Sequence, residues 1–154
     1  MSRLAPSAIY DLDYRVAIVA LVFERFAKPL ARAQPRKMSA ARLKLLQFMA
    51  LRPWLLPAMQ EWSHRGDQSA LALNHSIRVR RGFLSDSAHD EVMEYLIACG
   101  IFMRADSQIV SGVNSKLITN LADFLAREGF FASERKMLEE LDALLITNDM
   151  LEGW

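Results

Sequence analysis

Residues 92 to 104 read Val92-Met93-Glu94-Tyr95-Leu96-Ile97-Ala98-Cys99-Gly100-Ile101-Phe102-Met103-Arg104, and this stretch decides the fold. Val92, Leu96 and Cys99 recur at three- and four-residue spacing, which predicts one buried helix face. Gly100 supplies the left-handed conformation that stops a helix and reverses the chain. Ile101 to Met103 and Gln108 to Val110 are short apolar runs around Arg104, Ala105, Asp106 and Ser107, the pattern of a β-hairpin. Ser87 followed by Asp90 forms an acidic variant of the capping box, so the helix is expected to open there and run to Cys99. A helix, a glycine stop and a hairpin in that order look like the recognition helix and wing at the end of a winged helix-turn-helix domain. An ordinary helix and hairpin in an α+β domain has the same pattern and stays open at this point.

Upstream, Asp13 to about Lys28 is apolar apart from Arg15, Glu24 and Arg25, and its length favours a helix buried nearly all round that ends at Pro29. Ala31 to Lys37 reads as a basic connector. Ser39 is a good N-cap for a helix that runs through Leu43, Leu46 and Met49 to Leu51, before Pro53. A short helix around Trp54 to Trp62, a turn from Ser63 to Gln68 and a strand from Ser76 to Arg80 follow. Downstream, a helix from Ser115 to Glu128 is expected to bury Leu117, Ile118, Leu121, Phe124 and Leu125. A last helix, capped by Ser133, runs to about Ile146 and buries Met137, Leu138, Leu141, Leu144 and Leu145. The expected fold is mainly α with a small β-hairpin, a winged helix-turn-helix core with an N-terminal buried helix and two C-terminal helices. One domain spans 1–154: helix and basic connector over 1–38, winged-helix core over 39–112 and helical extension over 113–154.

Charge changes sign along the chain. Residues 1 to 81 hold 14 Lys and Arg against 5 Asp and Glu, and residues 82 to 154 hold 5 against 13, so an overall charge of +1 conceals halves of +9 and −8. Two oppositely charged faces meeting different neighbours suit an adaptor better than an enzyme. At about 100° per residue, Asp86, Asp90, Glu91 and Glu94 fall within an arc of about 140° on the outer face of the recognition helix. Carboxylates there repel phosphates spaced about every 1.7 Å along a duplex. That face is either a solvated helix surface or a docking surface for a basic partner. Among the cations, Arg32, Arg36, Lys37, Arg42, Lys44, Arg78, Arg80 and Arg81 are the candidate contacts for a DNA backbone or an acidic protein partner, which includes a second copy of this chain.

Several function classes have little support. His64, His75 and His89 lack zinc-ligand spacing, Cys99 has no second cysteine, and the six glycines form no phosphate loop. No metal, cofactor or catalytic set is therefore expected. Cys99 is expected in the core, while Trp54, Trp62 and Trp154 are either core residues or interface anchors. The longest apolar run, Val16 to Phe23, is far below the roughly 20 residues that span a bilayer, and Asp11 and Asp13 precede it where a signal peptide needs positive charge. A cytoplasmic protein with no membrane contact is the expectation. The composition, 52% hydrophobic with a mean hydropathy of +0.07, leaves apolar surface for partner burial.

The helix-glycine-wing string, set after a largely helical N-terminal segment, resembles the winged-helix partners of SMC-type ATPases. It is also similar to the middle components of bacterial three-component ABC ATPase defence systems, of which Lamassu is one kind. The resemblance covers about residues 40 to 130 and carries over no residue-level functional motif. It implies a non-catalytic subunit that bridges a large ATPase to other components of an anti-phage or anti-plasmid complex and helps it grip DNA. A dimeric winged-helix transcriptional regulator, with the C-terminal helices pairing two copies, is the alternative.

Overall fold

A computed structural model describes residues 11–27, 35–65, 81 and 85–144. Six helices are described: α1 (Leu12–Phe26), α2 (Ala40–Ala50), α3 (Leu56–Arg65), α4 (Ser87–Ala98), α5 (Lys116–Arg127) and α6 (Ala132–Asp142). A 3-10 turn, Pro53–Leu55, precedes α3, and three strands are described, β1 (Lys37–Ser39), β2 (Phe102–Ala105) and β3 (Gln108–Ser111). The antiparallel sheet has the order β1-β3-β2, with Met38 opposite Ile109 and Met103 opposite Val110. The fold is mainly α, with the β2-β3 hairpin following α4 as a small wing and β1 completing the sheet. No described helix is long and apolar enough to cross a membrane.

The first helix is buried nearly all round, as expected, and packs into the same apolar cluster as α2, α4 and the sheet. Asp11 caps α1 by accepting the Tyr14 N–H at 2.9 Å, and Tyr14 to Phe23 are buried apart from half-buried Val16. The helix stops at Phe26, where Ala27 turns extended (ψ 129°), and Arg36 caps its last carbonyls. The guanidinium donates to the Phe23, Glu24 and Ala27 carbonyl oxygens and pairs with the Glu24 carboxylate at 2.6 Å. A cation there satisfies orphan acceptors at the negative end of the helix. Lys37 belongs to β1, so the basic connector ends in a strand. Ser39 caps α2 as expected, accepting the Arg42 N–H at 3.3 Å, and α2 is buried from Leu45 to Ala50.

Gly100 has φ +74° and completes a Schellman motif at the end of α4, with Ile101 N–H to the Leu96 carbonyl and Gly100 N–H to the Ile97 carbonyl, both 3.0 Å. α5 ends the same way at Gly129, φ +73°. The hairpin strands extend to Ala105 and Gln108, which leaves Asp106-Ser107 as a two-residue turn. Phe23 of α1 stacks on Phe102 of β2 with ring centroids 4.7 Å apart, and one apolar cluster joins α1, α2, α4, the sheet, α5 and α6.

Other expectations change. The short helix near Trp54 begins as a 3-10 turn and continues through Arg65, beyond the expected start of the turn at Ser63. α6 starts at Ala132, capped by Phe131 in a left-handed conformation (φ 54°) and not by Ser133. The Phe131 ring packs on Tyr14 at 5.4 Å. Trp54 is exposed. The strand at Ser76 to Arg80, Leu145, Ile146 and Trp154 lie outside the described residues.

Candidate interaction surface of the recognition helix

The outer face of α4 is acidic. Asp90, Glu91 and Glu94 are exposed, while His89, Val92, Met93 and Leu96 are buried on the opposite side. Tyr95 and Cys99 are also exposed, which corrects the expected burial of Cys99: His89 and Met93 fill the core face that Cys99 was expected to occupy. The Tyr95 hydroxyl is held above its usual pKa, first by Cys99, then by desolvation and last by the Asp13 carboxylate. Half-exposed Tyr95 thus shares α4 with exposed Glu91, one turn earlier, and Glu94.

Asp86 is not part of that face. Its carboxylate accepts both terminal nitrogens of Arg15 at 2.9 Å, with side chains only 1% exposed for Arg15 and 3% for Asp86. The helix begins one residue later, at Ser87, and the Asp86 side chain makes no capping bond. The expectation of a docking role for Asp86 fails because the only arginine on the inner face of α1 claims its charge.

A second buried polar contact lies beside this pair. His89 Nδ1 bonds Gln47 Oε1 of α2, and Gln47 Nε2 is buried without a hydrogen-bond partner. Burial, then the charge of Lys44, pushes the His89 pKa down to about 4, although Asp86 and Asp90 act in the other direction. His89 also lines a shallow cavity of about 230 Å³ with Lys44, Asp90, Met93, Arg104 and Ile109.

Among the described residues, the candidate cations do not gather on one face. Arg36 is the cap of α1, Lys37 is half-buried in β1, and Arg42 is half-buried in the first turn of α2. Lys44 is half-buried with its ammonium 3.8 Å from Asp90, Arg81 is exposed, and Arg32, Arg78 and Arg80 lie outside the described residues. Three cations from the first half of the chain meet acids from the second, as Arg15–Asp86, Lys44–Asp90 and Arg25–Asp142. Complete sorting of the two charge signs onto separate surfaces is thus corrected. The acidic outer face of α4 persists, and part of the basic half is spent inside the fold.

One exposed feature was missed in the sequence. Leu117 and Phe124 were expected in the core, but Ile118, Ala122 and Leu125 are the buried face of α5 and leave both outside. The signal was present: Ile118, Ala122 and Leu125 form a complete helical stripe without them. No protein-family model, curated protein or solved structure matches this chain.

Proposed function

We propose that the chain is a non-catalytic adaptor whose winged helix docks a basic protein partner through the outer face of α4. One observation carries this reading: Asp90, Glu91 and Glu94 stand exposed on the helix that a DNA-binding winged helix lays in the major groove. Three exposed carboxylates on that face disfavour a polyphosphate and favour a cationic protein surface, with exposed Arg104 confined to the cavity at the Asp90 end. Half-exposed Tyr95 at their edge supplies the aromatic anchor typical of interface hot spots.

The resemblance of the helix-glycine-wing string gives the partner class: a large SMC- or ABC-type ATPase in a cytoplasmic nucleoprotein complex of bacterial anti-phage or anti-plasmid defence. Arg81, exposed, is available for DNA backbone contact inside such a complex. The test is assembly in the native host. Tagged wild-type chain and a Glu91→Lys/Glu94→Lys variant are purified side by side, with mass spectrometry of the co-purified neighbours. An ATPase retained by wild type and lost by the variant is expected. Equal recovery of the same neighbours with both chains would refute docking through α4.

A further inference from the structure

The acidic face of α4 continues into an apolar row on α5. Val113 is 90% exposed, Leu117 59%, Phe124 44% and Phe130 52%. Leu117 and Phe124 lie on one side of α5, two turns and about 10 Å apart, with half-buried Leu121 between them. The Phe124 and Phe130 rings sit with centroids 6.1 Å apart. The row meets α4 at its glycine stop, where Asn114 Nδ2 donates to the Cys99 carbonyl at 2.8 Å and a Cβ on Gly100 would lie 3.4 Å from Val113. Tyr95 and Cys99, one turn apart on α4, complete the path to Glu91 and Glu94.

Large exposed apolar side chains in a continuous row mark an interaction site. Arg127, exposed and 5.8 Å from the centre of the Phe124 ring, and exposed Asn120, two turns earlier on α5, form a polar rim. The charge at one end narrows the occupant. A partner that covers the row and reaches α4 meets Glu91, Glu94 and Asp13, so it must be apolar along its length and cationic at that end. We propose that the surface from Phe130 to Glu94 binds one amphipathic helix, with its apolar stripe on Val113, Leu117 and Phe124 and its basic end on the α4 carboxylates. This rests on the docking role given above to α4 and adds the class of partner that occupies it.

The probe is a fluorescein-labelled synthetic helical peptide with leucines at three- and four-residue spacing and lysines in its last two turns. Two control peptides carry serines for the leucines or glutamates for the lysines. Fluorescence anisotropy against the full chain should show binding of the first peptide only, weakened by salt. Leu117→Ser/Phe124→Ser should weaken it at least about tenfold, as should Glu91→Lys/Glu94→Lys. All four positions are exposed, and circular dichroism checks that each variant stays folded. Loss through α4 but not through α5 would overturn this proposal and leave the α4 reading standing. Insensitivity to both pairs, or no binding of the peptide, would overturn it outright. So would sedimentation showing wild type as a dimer that Leu117→Ser/Phe124→Ser dissociates, because a second copy would then be the occupant.

Discussion

Separating the Arg15–Asp86 pair is expected to be the most damaging pair of single changes in the described core. The two groups share two parallel hydrogen bonds of 2.9 Å in a site where neither side chain exceeds 3% exposure. Removing one partner strands the other charge away from water, at a cost of about 3 to 5 kcal/mol. That is a large share of the roughly 5 to 15 kcal/mol that holds a domain together. Asp86→Ala removes no side-chain cap, since the Asp86 side chain makes no capping bond, and it takes both carboxylate hydrogen bonds from the buried guanidinium. Arg15→Met strands the carboxylate instead. The double variant removes both charges and should be more stable than the Asp86→Ala chain, giving a coupling energy of about 3 kcal/mol. Urea denaturation followed by circular dichroism, with unchanged m-values, measures all four corners of the cycle. Single changes costing under about 1 kcal/mol, or a double variant equal to the sum of the two, would refute the account of a buried, mutually dependent pair.

His89, with a folded pKa of about 4 against about 6.5 in an unfolded chain, takes up its proton in the unfolded state first. Its contribution is therefore full above pH 6.5, falls as pH drops toward 4, and amounts to about 3 kcal/mol; an imidazole NMR titration with a midpoint above 6 would contradict it. At the wing, a Cβ on Gly112 would lie 2.3 Å from the Gly100 carbonyl oxygen, so Gly112→Ala should cost at least about 2 kcal/mol. Gly129→Ala, strained only by its φ of +73° with nothing within 4 Å, should cost about 1 kcal/mol; thermal melts of the two variants in the reverse order would count against the close approach of these backbones.

Local chemistry was legible in the sequence and long-range chemistry was not. The Gly100 stop, the Ser39 cap, the hairpin and the acidic positions Asp90, Glu91 and Glu94 depend on neighbours within a few residues, and spacing alone predicts them. β1 was missed because three residues cannot display a period-two pattern, and its partner β3 lies about 70 residues away. Arg15 and Asp86 meet across 71 positions, so each looked like an ordinary surface charge. Arg36 looked like connector charge because the carbonyls it caps belong to an earlier helix. The apolar row on α5 was absorbed into an expected core because helical spacing tells which residues share a face, but not how wide a face the rest of the fold covers.

The central claim is that this winged helix presents its recognition face to protein and not to DNA. Fluorescence anisotropy of a labelled random-sequence duplex at moderate salt tests it most directly, with wild type beside an Asp90→Lys/Glu91→Lys/Glu94→Lys variant. The account predicts no sequence-preferring binding by wild type and a gain of salt-sensitive binding once the three carboxylates are reversed. Sequence-preferring retention of DNA by wild type, lost on reversal, would contradict it.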